Sequence, residues 1–386
     1  MKKYIALIMI GAVLLLAVLV GLVSMLRDSN ISEGVFDPAN AAEIWLPSVT
    51  NPGSHPHGRV ASEYITFMSD QLPDRFPYSF REMQTAEWLV GVLGAMGYPQ
   101  GDITVQEFTF DEVRHLSDMS FFMDLFLFIH RSPFVNLDIR PSEKSQNIIL
   151  TVPGQSEEVI IVSAHYDGVF YPGASDNASG VALLLESAWR MQNQDNYYTI
   201  HYVFFGAEEA GIFGAYHYAA KLTQAEHDNI LFVINADVLL EGDDLYYMAG
   251  YSPGGASVNP LLSQAATPPG ANHITESWDY IASEINKHYN LNIMPHPWGV
   301  FGPSDQLAFL PHGHTAMFLA GLHAPNGIPD GDINPHMMYL ARVLHSPRDD
   351  IHYINENWPD KVETNMRAFS IFLEEMLLAK YYPIKN

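Results

Sequence analysis

Apolar residues arrive along this chain in short unbroken runs, and the punctuation between them sets the first expectations. Seven runs read as strands: near Ile103–Phe110, Asn147–Val152, Val159–Ala164, Thr199–Phe205, Ile230–Ala236, Leu245–Ala249 and Thr315–Leu319. In the stretches between them apolar residues recur every three to four positions, the period of an amphipathic helix. These predict helices around Ala61–Gln71, Arg81–Met96, Ala178–Gln192, Ile212–Leu222, Trp278–His288 and Pro359–Lys380. Gly97 and Pro99 stop the second as helix-end signals should. Strands that are apolar throughout and alternate with helices predict an α/β protein with a mostly parallel sheet covered on both faces.

Two apolar runs fall outside this alternation. Tyr4–Leu26 is 23 residues without a charge, long enough to cross a hydrocarbon core of about 30 Å. It has no clean A-x-A cleavage site, so it reads as a signal anchor, with a cleaved signal peptide as the alternative. Lys2 and Lys3 precede it and mostly acidic residues follow, which leaves the N-terminus inside and the large domain outside, as a single-pass membrane protein or a secreted one. Residues 28–56, rich in Asn, Asp, Pro and Ser, read as a tether, and 57–386 as the globular domain. The second run, Met119–Ile129, lies in an apolar insertion near 111–144. It is too apolar for a surface loop and too short for a bilayer; a helix packed on the main domain is expected, with a lid or a membrane-touching surface as alternatives.

Composition narrows the chemistry. A net charge of -25 offers no basic face for phosphates, which excludes nucleic acid as a partner. The absence of cysteine excludes disulfides, thiolate nucleophiles and Cys-ligated zinc. Any metal must be held by His, Asp and Glu.

Three predicted strands end in such groups. His165 and Asp167 follow the third run, Glu208 and Glu209 follow "VFFGA", and Asp237 follows "FVINA". Ligands bind at that edge of open α/β sheets. Asp176, ahead of "ASGVALLLESAW", could simply cap a helix. Taken together, however, so many carboxylates at one edge would repel one another unless cations lay among them, and His with Asp and Glu is a typical zinc set. The groups suffice for two Zn2+ ions. His165 and Asp237 would serve one, Glu209 and a later His the other, with Asp176 shared. Asp167 is placed to accept the second ring N–H of His165, and Glu208 to act as general base beside the metals.

The segments "SAHYDGVFYPGASDNASGVALLLE", "FFGAEEAGIFGAYHYA", "NADV" and "LHSPRDDIHYI" resemble, in order, the signature segments of the M28 family of zinc aminopeptidases, a likeness covering roughly Ser54–Lys380. The resemblance implies a three-layer αβα domain with a mixed, mostly parallel central sheet, two zinc ions per chain, and an exopeptidase that removes N-terminal residues from peptides. It implies that His165, Asp176, Glu209, Asp237 and His345 are the metal ligands, with Asp167 behind His165 and Glu208 as base. It also implies a cis peptide between Asp176 and Asn177. Tyr251, in "AGYSPGG", is a candidate donor to the oxyanion. Gln306 stands where the family commonly has His. His312, His314, His323, His336 and His352 read as ordinary loop or core histidines. Two rival readings share the fold: a single-zinc glutaminyl cyclase and a non-catalytic extracellular binding module.

Overall fold

A computed structural model describes residues 55–116, 144–169, 171–242, 244–249, 271–295, 304–322 and 343–380. Its strands are β1 (Ile103–Thr109), β2 (Lys144–Val152), β3 (Ser156–His165), β4 (Tyr198–Phe205), β5 (Ile230–Ala236), β6 (Asp244–Ala249), β7 (Ile293–Pro295) and β8 (Ala316–Leu322). They form one sheet in the order β1-β2-β4-β3-β5-β8-β6-β7. The centre, β4-β3-β5-β8, is parallel. Around it β1, β2 and β6 pair antiparallel with their inner neighbours, so the sheet is mixed.

The helices are α1 (Arg59–Gln71), α2 (Phe80–Ala95), α3 (Phe110–Val113), α4 (Ser179–Met191), α5 (Phe213–Lys221), α6 (Gln224–Asn229), α7 (Ala271–Tyr289), α8 (Ile351–Asn357) and α9 (Lys361–Leu378). Strand alternation explains the three layers. Along β3, Ile160, Val162 and Ala164 point into the core shared with α1, α2, α4, α7 and α9. Val159 and Ile161 point into the opposite core, against α5. With both faces buried, the central strands read as unbroken apolar runs. The helix ends follow their sequence signals: Gly97 has φ +97 just past α2, and Asp350 caps α8 by accepting from the N–H groups of His352 and Tyr353.

The parallel centre places the tips of β3, β4 and β5 side by side. Gly180, at the start of α4, lets that helix close on the tip of β5: a Cβ there would lie 2.3 Å from the Ala236 carbonyl oxygen. Among the described residues no helix is long and apolar enough to cross a membrane. Tyr4–Leu26, Met119–Ile129, Tyr251, His323 and His336 lie outside the described residues.

Candidate metal centre

His165 is the last residue of β3 and is buried. Its Nδ1 lies 3.2 Å from the backbone carbonyl of Asp167. A carbonyl only accepts, so the proton sits on Nδ1 and Nε2 is turned towards acids on two other elements. That nitrogen is 3.2 Å from Asp176 Oδ1 and 3.3 Å from Asp237 Oδ1. The second oxygen of Asp176 faces the other way, 2.9 Å from His345 Nε2, which is also 3.3 Å from Glu209 Oε2. The result is two overlapping clusters, His165–Asp176–Asp237 and Asp176–Glu209–His345, each with ligand atoms within 4.8 Å of one another. All five side chains expected as ligands come together, and Asp176 belongs to both clusters. The Asp176–Asn177 peptide is cis.

Asp167 behaves differently from the expectation for its carboxylate. The carboxylate oxygen nearest His165 Nδ1 is 3.7 Å away, while Oδ1 and Oδ2 accept from the N–H groups of Glu208 and Glu209, each at 3.0 Å. The residue therefore orients His165 through its carbonyl and the Glu208–Glu209 pair through its side chain. Buried Glu82 extends this grip by accepting from the Ala207 N–H at 2.9 Å, so three successive amides are pinned by two carboxylates. Asp349 does the same for the Asp176 turn, accepting from the N–H groups of Ser175 (2.5 Å) and Asp176 (3.0 Å). Buried Arg75 holds the approach to that turn through the carbonyls of Tyr166, Pro172 and Gly173.

On the β5 side, Ser304 Oγ donates to Asp237 Oδ2 at 2.8 Å. Asn235 donates to Ser304 Oγ and to Gln306 Oε1. Gln306, the departure from the family pattern, thus serves as an acceptor under the site. Sequence reasoning did not single out Asp305, which is fully buried with neither carboxylate oxygen partnered. Burial raises its pKa, and Asp237, Asp167 and Glu209 raise it further against His165. Of the remaining histidines singled out from the sequence, the three among the described residues are structural or superficial. His314 is buried against His227, His312 stacks on His227, and His352 meets Asp70 at the surface.

The electrostatics are those of a cluster balanced by protons. Burial alone would favour a neutral His165, but Asp237, Glu208 and its carboxylate hydrogen bonds hold its pKa well above the ordinary value. His345 is pushed up to about 12, chiefly by Glu209 and then by its bond to Asp176. Burial would raise Asp176, yet bonds from both imidazoles hold it below the usual range. Burial lifts Glu209 to about 7, with Asp176 adding to the effect and His345 opposing it. Glu208 is raised by burial and by Asp305 and Glu209, against His165. The donor set fits divalent zinc: imidazole nitrogens and carboxylates converge, and Glu209 Oε1 is buried with no protein partner.

Two imidazole–carboxylate clusters sharing one aspartate, at the strand tips of a helix-covered mixed sheet, define an α/β protein with donor sets that could hold a metal ion. The chain belongs to peptidase family M28, which matches residues 147–370. Aminopeptidase YwaD of Bacillus subtilis (strain 168) is 39% identical over 89 residues, 22% of this chain and 20% of that protein. Across three curated relatives the matched stretch spans 20 to 44% of their length. The fold is similar to that of BSAP, a zinc aminopeptidase from Bacillus subtilis, with TM-score 0.59 and 16% identity, covering 84% of this chain and 96% of that one. It is similar as well to an Acidobacteriales bacterium glutaminyl cyclase, with TM-score 0.55 and 17% identity, covering 86% and 96%.

Proposed function

We propose that the chain is a zinc-dependent aminopeptidase with a co-catalytic pair of ions, hydrolysing N-terminal residues from peptides. The observation that carries this reading is the shared aspartate: the two oxygens of Asp176 face two different imidazoles, each of which meets a further carboxylate. His165, Asp176 and Asp237 would hold one ion, and Asp176, Glu209 and His345 the other. When bound, such a pair polarises the scissile carbonyl and acidifies water. Glu208, held beside Glu209 by the Asp167 carboxylate, takes a proton from the attacking water and returns it to the leaving amine. Asp167 is a positioning residue for both functions, since it fixes the tautomer of one ligand and the backbone of the base. Both clusters are complete, which favours hydrolysis over single-zinc cyclisation. With Tyr4–Leu26 ahead of it, the domain works outside the cytoplasm, either anchored or released.

A panel of free and N-blocked aminoacyl and peptide substrates, assayed on the full chain with zinc content measured on the same sample, tests the proposal. Cleavage only of substrates with a free N-terminus, at two zinc ions per chain, is expected. Cleavage indifferent to N-terminal blocking, or cyclisation of N-terminal glutamine without hydrolysis, would sink it.

A further inference from the structure

Of the five ligand-type side chains, His345 has the least support from the sheet. Three of the others sit at strand tips and Asp176 on the turn that opens α4, whereas the His345 side chain is 46% exposed and its backbone has φ +51. Something must fix that turn. Val343 is buried in the main core, and Leu344 packs against a smaller one. Apolar burial is non-directional, however, and leaves the rotation of the turn open. Within the turn Ser346 Oγ donates to the Val343 carbonyl at 2.6 Å; a directional contact from outside it comes from Glu241, four residues beyond Asp237. One of its carboxylate oxygens accepts from the Val343 N–H at 3.3 Å and the other from the Leu344 N–H at 3.0 Å.

The backbone around Glu241 is itself held from three sides. Ser179 Oγ accepts from the Leu239 N–H and Ser175 Oγ from the Leu240 N–H. The Gly242 N–H donates to the Gly321 carbonyl on β8. Asn365 of α9 donates to the carbonyls of Leu239 and Gly242. A rigid platform therefore presents a buried carboxylate to the two amides that lead into His345. An ionised carboxylate is the side chain suited to two parallel N–H donors, whereas an amide would offer one oxygen and turn an NH2 towards the second. Glu241 belongs to neither cluster.

We propose that Glu241 is a positioning residue that orients the His345 imidazole through the amides of Val343 and Leu344, and so sets the affinity of the Asp176–Glu209–His345 cluster for a divalent cation. The inference rests on the two-ion reading above. Its test is zinc titration by calorimetry of the full chain after chelator treatment, with bound metal counted by mass spectrometry, on wild type, Glu241→Gln and Glu241→Asp. Wild type should take two ions. Glu241→Gln should take the first with wild-type affinity and the second with a dissociation constant raised about 10- to 100-fold, the effect typical of losing a group behind a ligand. Its kcat should recover as free zinc is raised, with KM near wild type at saturating metal. Glu241→Asp, charged but a methylene shorter, should fall between the two, and it decides by the same criterion if the Gln variant does not fold. Two ions bound to both variants with wild-type affinity would overturn the proposal, as would equal weakening of both sites, the mark of a merely structural role. Wild type taking up one ion overturns instead the two-ion reading on which the inference stands, and it is read from a different sample.

Discussion

Glu208 and Glu209 are neighbours in the chain and partners of the same Asp167 carboxylate, yet their side chains are assigned different work. A base must lose and regain a proton, whereas a ligand must keep a lone pair on the metal. Glu208→Gln should retain both zinc ions and substrate binding while kcat falls by about 10² to 10⁴. Glu209→Gln should lose one ion, since a neutral amide is the poorer ligand. Metal content and turnover measured on the same two samples separate these outcomes; near-normal turnover of a fully loaded Glu208→Gln protein would require a different base. That His165, Asp176, Glu209 and Asp237 converge was legible, because they punctuate strand tips and a helix start. His345 was one of 17 histidines, and mainly the motif resemblance picked it out, with its loop ahead of the last helix as modest support. Asp349, Glu241 and Glu82 were not legible: their partners lie 174, 103 and 125 residues away, and nothing local distinguishes a carboxylate that grips a distant amide from one in water.

At the scale of elements, all seven predicted strands and six predicted helices recur in the structure, with ends within about three residues except at the start of α7, which begins at Ala271, seven residues ahead of the expected Trp278. What escaped was short: β7 spans three residues, and α3, α6 and α8 are too brief to show a period. A mixed, mostly parallel sheet was expected and is found; which strands run antiparallel was not legible, because an apolar run reads alike in both kinds of pair, and β1, β2 and β6 are the ones antiparallel to their inner neighbours. The close seat of α4 on β5 gives a test of packing. In Gly180→Ala the new Cβ would meet the Ala236 carbonyl oxygen at 2.3 Å and Asn177 Oδ1 at 2.4 Å. Overpacking costs about 1–3 kcal/mol, against a helix-propensity gain of about 1 kcal/mol. The variant should therefore unfold at lower denaturant concentration with an unchanged slope. A midpoint at or above wild type would show that the helix can move away from the strand without loss.

For the molecule as a whole, the proposed metal and protons would compete for the same clusters. In the metal-free chain His345 is raised to about 12, so the stability it contributes is complete below the ordinary histidine value and is lost as pH rises through the folded one. Asp176, lowered, contributes above the ordinary aspartate value and loses that contribution as pH falls. At neutral pH both His165 and His345 thus carry protons, and Glu209, lifted to about 7, carries about half of one, so on the two-ion reading zinc loading should release between two and three protons per chain. Calorimetry in buffers of different ionisation enthalpy counts them; no release would mean that the imidazoles are already neutral. Chelation should lower the Tm, because zinc at 100 times its Kd contributes about 2.7 kcal/mol; a Tm indifferent to chelator would show that the clusters hold no zinc in the folded chain.

Asp176 also has a thermodynamic consequence. A carboxylate with one oxygen turned to each cluster cannot be ordered by an ion on one side without changing what it offers on the other. On the two-ion reading proposed above, the two sites are therefore linked. Whatever factor the first ion confers on the affinity of the second, the second must confer on the first, so no pair of independent constants should describe the uptake of metal by this protein.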